Sequence, residues 1–245
     1  MNDRDIKVIY EDEDLFVINK PAGIIVNKSD TTKGEITVQD WVDETFSVSG
    51  SKETDFYKRG GIVHRIDKET SGVLLIARTE EAFLNLQTQF KERKVEKTYL
   101  ALAHGRVEPE TGEINVPVGR LPWNRKRFGV LSGGRESNTQ YKVLEIKDYV
   151  SGKSREPVSL LELHPKTGRT HQIRVHLKHI NRPIFSDPLY AGRKISRDDR
   201  KVLGRIFLHA LRISFFHPRT NKSISFDAPL PKELNDFLGS LALKT

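Results

Sequence analysis

Short runs of strand-forming residues outnumber helical patterns in this chain, and the two kinds of segment do not alternate. Apolar or alternating runs bounded by Gly, Pro and polar residues are typical of strands. Such runs cover residues 15–19, 24–26, 73–77, 98–103, 113–116, 137–145, 158–164, 207–216 and 223–228. This order predicts an α+β fold with a mixed or mostly antiparallel central sheet, flanked by helices and loops.

Four segments place apolar residues at helical spacing, and they begin near Thr37, Glu80, Thr170 and Pro231. Thr79 precedes the second segment and is suited to cap its N-terminus. In the third segment Ile173 and Leu177 fall on one face of the helix, and Arg174 falls on another. The polar residues 47–58 predict a surface loop.

The composition excludes several classes of protein before any motif is considered. The 245 residues contain no cysteine, which excludes disulfides, thiolate metal sites and cysteine nucleophiles. A chain of this length can bury a core without crosslinks, and we expect residues 1–245 to form one domain. The charged N-terminus is unlike a leader peptide, and no run approaches the roughly 20 apolar residues of a membrane span. We therefore expect a soluble, cytoplasmic protein.

The charge distribution favours a polyanionic partner. Lys and Arg number 41 against 33 Asp and Glu, which gives a net charge of +8 and a pI near 9.5. A basic surface that only aids solubility is the plainer interpretation. Between Arg120 and Arg135, however, five basic residues occur without an acidic one, and Trp123 and Phe128 lie among them. Basic side chains mixed with aromatic rings suit the phosphates and unstacked bases of RNA.

The segment from Gly60 to Gly72 concentrates reactive side chains just before an apolar strand. Its sequence is GGIVHRIDKETSG, and its central acid is Asp67. Loops held by rigid strands commonly carry catalytic groups. An isolated Asp-x-x-Thr-Ser-Gly is more often a turn in which the carboxylate accepts a backbone N–H. These residues alone leave both interpretations open.

The longer motif around Asp67 resembles the signature of the RluA-type pseudouridine synthases, H-R-[LI]-D-x-x-T-S-G. Three further blocks are similar to that family and occur in the same order: LFVINKPAG from Leu15, KTYLA from Lys97 and HPKTGRTHQIRVH from His164. LHAL from Leu208 and HP from His217 also match. The resemblance extends from about residue 8 to about residue 230, and it includes no S4-like RNA-binding domain.

This resemblance implies an enzyme that isomerises uridine to pseudouridine in RNA, in a basic cleft and without a cofactor or a metal. It makes Asp67 the catalytic carboxylate, Arg174 the guanidinium that keeps this carboxylate charged, and Tyr99 the ring that packs on the target uracil. Arg65 is expected to fill the gap that a flipped-out base leaves. Whether Asp67 attacks C1′, attacks the base or removes a proton from C2′ stays open.

The resemblance and the basic segment together indicate which residues contact RNA: Arg65, His64, Arg125, Lys126, Arg127 and Arg169. For His64 the expected contribution is support of the loop. Large-subunit ribosomal RNA is the preferred substrate, because residues 105–114 and 124–127 look closest to family members that act on ribosomal RNA. Transfer RNA is the alternative substrate, and the family's habit predicts a monomer.

Other functions fit the sequence less well. A metal hydrolase is one rival, because four histidines cluster: His164, His171, His176 and His179. No acid-bearing ligand motif such as HExxH accompanies them, and Ser71 lacks the Gly-x-Ser-x-Gly elbow of serine hydrolases. The serious alternative is a non-catalytic RNA-binding or ribosome-assembly protein. Such a protein would not require Asp67, Tyr99 and Arg174 together.

One block departs from the family pattern. Where the family usually has Gly-Asp-x-x-Tyr-Gly, this chain reads SDPLYA from Ser186 to Ala191. Both glycines are lost, and glycine is the residue that adopts left-handed backbone conformations without a steric penalty. The departure puts the local turn in doubt, but not the catalytic residues.

Overall fold

The computed structural model describes residues 6–29, 34–46, 53–125, 127–151 and 154–243. Within these ranges the chain forms twelve strands and six helices. It divides into two compact units: residues 1–97 with 210–229, and residues 98–209 with 230–245. The predicted α+β class and the mostly antiparallel pairing of its strands are confirmed. Among the described helices, none combines the length and the apolar character that crossing a membrane would require.

The strands are β1 (Lys7–Glu11), β2 (Leu15–Lys20), β3 (Ser71–Ala77), β4 (Glu96–His104), β5 (Thr111–Asn115), β6 (Val118–Arg120), β7 (Phe128–Val130), β8 (Asn138–Ser151), β9 (Ser154–Pro165), β10 (Leu208–Phe216), β11 (Ser223–Asp227) and β12 (Ala242–Leu243). The helices are α1 (Val38–Thr45), α2 (Asp55–Lys58), α3 (Glu80–Lys91), α4 (Gln172–His179), α5 (Arg193–Asp199) and α6 (Lys232–Ser240).

In the first unit, β2 and β3 form the buried centre of the sheet. β2 pairs antiparallel with β1 and with β3, and β10 pairs antiparallel with β11. Every residue of β3 is buried, as its uninterrupted apolar run indicates. The α3 helix packs against this core through Ala82, Phe83 and Leu86. Thr79 caps α3 by accepting the Ala82 N–H, as predicted.

In the second unit, β4, β9 and β8 pair antiparallel in that order, and β5 and β12 each pair with β8. Ile173 and Leu177 of α4 and Leu234 of α6 are buried in the core of this unit. The β6 and β7 strands form a separate hairpin. Val175 of α4 and Phe128 of β7 pack in one small apolar cluster, so the hairpin rests on α4.

The structure differs from the sequence-based expectations in several places. Residues 24–26 form no strand, because only Ile25 bridges to Thr37. The expected loop at 47–58 ends in the short helix α2, and residues 47–52 lie outside the described residues. The patterns also do not predict β1, α5 or the β6-β7 hairpin. Each strand of that hairpin has three residues, too few to show an alternating pattern.

Candidate active site

Asp67 lies in the connector between α2 and β3 of the first unit, where glycines fix the path of the backbone. Gly61 and Gly72 have φ angles of 71° and 117°. A Cβ atom at these positions would lie 2.0 and 2.1 Å from backbone carbonyl oxygens, so a larger residue does not fit. The Asp67 carbonyl oxygen accepts the Thr70 N–H at 3.1 Å, which closes a turn. Asp67 itself stays partly exposed.

A buried ammonium group connects this loop to the turn after β2. Lys20 is fully buried, and its Nζ donates to the carbonyl oxygens of Pro21 and Ile24 at 2.8 Å and of Lys68 at 3.2 Å. The Gly23 N–H donates to the same Lys68 carbonyl oxygen at 2.7 Å. Charge-assisted hydrogen bonds of this kind are strong. Because Lys68 directly follows Asp67, these bonds fix the backbone beside the candidate carboxylate.

His64 supports another part of the loop. Its Nε2 accepts the Leu75 N–H of β3 at 3.0 Å, and its ring centroid lies 4.9 Å from that of Phe90. Burial of the imidazole, assisted by the nearby Lys97 ammonium, lowers the pKa of His64 to about 3. The ring is therefore neutral near pH 7, which fits loop support better than a direct contact with phosphate. The next residue, Arg65, is exposed.

In the second unit, Arg174 on α4 is held by a buried ion pair. Its Nε and Nη2 donate to the two carboxylate oxygens of Asp187 at 2.8 and 2.9 Å. Asp187 is fully buried, and its Oδ1 also accepts the N–H groups of Leu189 and Tyr190. The Tyr190 ring centroid lies 5.1 Å from Cζ of Arg174. Two parallel hydrogen bonds and a facing ring hold the guanidinium in one orientation.

Tyr99 lies in β4 of the second unit, where it pairs with Leu163 of β9. It is partly exposed and packs against the core of that unit. Strand alternation places Ala101 and Ala103 on the same face as Tyr99, and both alanines are fully buried. The predicted strand position is therefore confirmed, whereas packing of the ring on a uracil stays a prediction.

The other predicted RNA contacts lie on the β6-β7 hairpin and before α4. Arg125 is exposed near the hairpin tip and Arg127 is partly exposed, whereas Lys126 lies outside the described residues. Trp123 on the same tip is 77 % exposed. Arg169, just before α4, is partly exposed and donates from Nε to a backbone carbonyl oxygen at 3.2 Å. The hairpin thus presents basic and aromatic side chains together.

Comparison with known proteins decides the family. A family model described as RNA pseudouridylate synthase matches residues 14–179 of the chain. This stretch exceeds half of the 245 residues and includes Asp67, Tyr99 and Arg174. The chain belongs to the RNA pseudouridylate synthase family.

Relatives of this family member are similar over nearly its whole length. The ribosomal large subunit pseudouridine synthase D of Neisseria meningitidis is 36 % identical over 98 % of this chain and 62 % of the relative. An uncharacterized RNA pseudouridine synthase of Chloroflexus aurantiacus is 41 % identical over 91 % of this chain and 65 % of the relative. The chain therefore spans less than two thirds of the length of these relatives.

A solved structure of the family has the same fold. Human RNA pseudouridylate synthase domain containing 1 superposes with a TM-score of 0.74 at 28 % sequence identity. The superposition covers 100 % of this chain and 91 % of the human one. The fold expected from the resemblance of the sequence motifs is thus confirmed.

This family member forms the turn before Asp187 without the glycine that is usual there. Ser186 has a φ of 64°, in the left-handed region where glycine is usual. Its N–H donates to Oδ2 of Asp199 at 2.9 Å, and its hydroxyl donates to the Leu203 carbonyl oxygen. These buried hydrogen bonds offset the strain at Ser186. The turn therefore still brings the Asp187 carboxylate into hydrogen-bonding distance of Arg174.

Three side chains that hold candidate residues, each within its own unit, were not singled out from the sequence: Lys20, Asp187 and Tyr190. A usable signal exists for Lys20, because it ends the apolar strand LFVINK, and a buried lysine requires partners. Asp187 and Tyr190 both stand in the block that departs from the family pattern. Asp187 is retained in that block although the glycines are not. Together with the arginine-bearing motif around Arg174, this acid was a signal for the buried ion pair.

Three of the four clustered histidines of this family member form hydrogen bonds with separate protein groups. The partners are Glu162 for His164, Tyr190 for His171, and Thr139 with the Val116 carbonyl oxygen for His176. His179 is exposed. Burial lowers the pKa of His176 to about 4, so this imidazole is neutral near pH 7. These three histidines therefore stabilise the structure of the second unit.

Within the described ranges, the group of side chains close enough to hold a metal ion is Asp12, Asp14 and His217. Nε2 of His217 lies 2.8 Å from the Asp12 carboxylate, and Nδ1 accepts the N–H groups of Arg219 and Thr220. Both imidazole nitrogens are thus engaged by the protein. This cluster ties the turn after β1 to the turn after β10 in the first unit.

Proposed function

We propose that this protein isomerises uridine to pseudouridine within structured RNA, with large-subunit ribosomal RNA as its substrate. The observation that carries the proposal is the Asp67 loop, a carboxylate on a glycine-bounded turn inside the segment that matches the family. Lys20 and His64 hold this loop through partly buried hydrogen bonds. Catalytic groups need rigid support of this kind to keep a productive geometry.

The reaction exchanges one glycosidic bond for another. The N1–C1′ bond breaks, the uracil turns, and C5 bonds to C1′ while C5 loses a proton and N1 gains one. This isomerisation changes no oxidation state overall, so we propose that it needs neither cofactor nor metal. Asp67 supplies the ionised carboxylate, Tyr99 supplies a ring for the uracil, and Arg174 supplies a positive charge that favours an ionised catalytic carboxylate.

The same proposal assigns the RNA contacts. Arg65, which is exposed, replaces the flipped-out base. The phosphate contacts are Arg125, Lys126, Arg127 and Arg169. His64 contributes indirectly, because it supports the loop that carries Arg65.

The choice of ribosomal RNA is supported by the name of the Neisseria meningitidis relative. Transfer RNA is the alternative substrate. As further parts of the proposal, residues 1–245 form one catalytic domain, which acts as a monomer in the cytoplasm.

Tritium release tests the reaction directly, because the proton at C5 is lost when the new bond forms. Large-subunit ribosomal RNA and transfer RNA transcripts labelled with tritium at uracil C5 are incubated separately with wild type, Asp67→Asn and Asp55→Asn. Asp55 is an exposed acid of the same unit and serves as the matched control. We expect release by wild type and Asp55→Asn, and a rate lower on the order of a thousandfold for Asp67→Asn.

Each result has a definite meaning. Release from ribosomal RNA alone supports the proposed substrate, and release from transfer RNA alone replaces it. No release from either RNA, with RNA binding intact, favours the non-catalytic assembly protein. Equal release by Asp67→Asn and wild type removes Asp67 from the mechanism.

A further inference from the structure

Tyr190 links the β6-β7 hairpin to α4 in the second unit. In the proposed function the hairpin binds RNA, whereas α4 carries Arg174. Its hydroxyl accepts the Phe128 N–H at 3.1 Å and lies 2.9 Å from Nδ1 of His171. Phe128 begins β7, and His171 is the N-cap of α4, the helix that carries Arg174. One phenol oxygen therefore joins the base of the β6-β7 hairpin to the start of that helix.

The ring and the backbone of Tyr190 contact the arginine pair. The ring faces the Arg174 guanidinium at 5.1 Å, and the Tyr190 N–H donates to Oδ1 of Asp187 at 3.1 Å. Tyr190 is 7 % exposed, and polar contacts in such buried surroundings are stronger than in water. The residue is thus fixed to the Arg174–Asp187 pair independently of its hydroxyl.

Phe128 connects Tyr190 to the basic tip of the hairpin. The Arg120 guanidinium lies 4.8 Å from the Phe128 ring centroid and donates to the Arg125 carbonyl oxygen. The Phe128 ring also meets the His171 ring edge-on, with centroids 5.5 Å apart. The position of Arg120 and Arg125 therefore depends on the residue whose N–H the Tyr190 hydroxyl accepts.

We propose that Tyr190 is a positioning residue that sets the RNA-binding hairpin relative to Arg174. This inference rests on the proposed function, since it takes the hairpin to bind RNA and Arg174 to serve the reaction. Tyr190 itself need not touch the substrate. A hairpin held in this way presents its basic tip in one orientation before RNA arrives, which reduces the entropy that binding must remove.

Tyr190→Phe is the sharpest test, because it removes only the hydroxyl. The variant loses the bonds to Phe128 and His171 and keeps the ring on Arg174 and the backbone bond to Asp187. Loss of two hydrogen bonds predicts a KM and a Kd for RNA about tenfold higher, with kcat lower by less than about threefold. Tyr149→Phe is the matched control, because the Tyr149 ring packs in the core of the same unit.

The fluorescence anisotropy of Trp123 in the folded protein reports on the mobility of the hairpin and does not change when a variant is only less stable. The chain has two tryptophans, so in a Trp41→Phe background Trp123 alone reports on the hairpin. We expect Tyr190→Phe to lower the fluorescence anisotropy of Trp123 in the folded, RNA-free protein. Unchanged anisotropy together with an unchanged Kd for RNA overturns the inference.

A double-mutant cycle tests whether Tyr190 acts through the hairpin. In a variant that carries Arg125→Ala, Lys126→Ala and Arg127→Ala, the tip has lost the RNA contacts assigned to it, and Tyr190→Phe should then change Kd by less than about threefold. A tenfold effect that persists in this background contradicts the inference. Absence of tritium release by wild type would instead overturn the proposed function, and the anisotropy and Kd measurements would still decide the role of Tyr190.

Discussion

The ammonium nitrogen of Lys20 lies 3.2 Å from the carbonyl oxygen of Lys68, the residue that follows Asp67. Lys20→Met keeps most of the side-chain volume but removes three hydrogen bonds to backbone carbonyl oxygens. We expect the free energy of unfolding to fall by about 2–4 kcal/mol. Urea denaturation of the variant and the wild type measures this difference.

Lys28→Met is the control for this measurement. Lys28 is 45 % exposed and pairs with Asp40 and Asp43 at the surface, where such ion pairs contribute roughly 0–1 kcal/mol each. Equal unfolding midpoints for the two variants would show that the buried ammonium does not stabilise the loop.

Breaking the buried ion pair between Asp187 and Arg174 is expected to lower both the stability of the protein and the rate of the reaction. Asp187→Asn removes the charge that Arg174 faces, and breaking a buried pair in this way costs about 3–5 kcal/mol. We also expect kcat for pseudouridine formation to fall at least about tenfold, since the guanidinium loses its fixed orientation. Asp227→Asn breaks a pair with Arg212 that is 53 % exposed on both sides, and it should cost less than about 1 kcal/mol.

Two neutral histidines make the stability of the protein fall in acid. The pKa values of His64 and His176 are lowered from 6.5 to about 3 and about 4. Below pH 6.5 the unfolded chain binds these protons and the folded protein does not, so stability decreases as the pH falls towards the folded pKa. Each histidine contributes about 1.4 kcal/mol per pH unit within this window.

His64→Gln tests how much His64 contributes to the pH dependence of the unfolding free energy. Glutamine can still accept the Leu75 N–H but does not titrate, so we expect the slope of unfolding free energy between pH 6 and pH 4.5 to decrease by about 1 kcal/mol per unit. The wild-type protein, measured in the same buffers, gives the reference slope. The same slope in both proteins would contradict the lowered pKa of His64.

The hairpin arginines predict a change in the salt dependence of RNA binding. Arg125→Ala removes one phosphate contact, so the slope of log K against log salt should decrease in magnitude by about 0.7–0.9, with stability unchanged. Arg193→Ala removes an exposed arginine of α5 and should not change the slope. Identical slopes for Arg125→Ala and wild type would place the RNA elsewhere.

Much of the fold could be predicted because local patterns encode it, and the Asp67 loop could be singled out as the candidate site for the same reason. An apolar run of strand length produced β3, and a helical stripe with a capping threonine produced α3. The glycines and the acid of the Asp67 loop are close together in the sequence, so the sequence alone shows that they belong to one loop.

The supporting contacts could not be predicted because they join distant residues. Phe128 and the Tyr190 hydroxyl are 62 positions apart, and Lys20 and the Lys68 carbonyl are 48 positions apart. No periodic pattern specifies such a bond. The β6-β7 hairpin and the polar helix α5 escaped prediction for a related reason, because neither carries a regular apolar pattern.

The left-handed serine at position 186 bears on how relatives of this protein are recognised. A hydrogen-bonded serine and a glycine can occupy the same turn, so lineages can exchange one for the other while the acid and the tyrosine stay in place. Searches that demand glycine at this turn will pass over proteins that made this exchange. A signature that specifies a left-handed residue at this turn, rather than glycine, would include them.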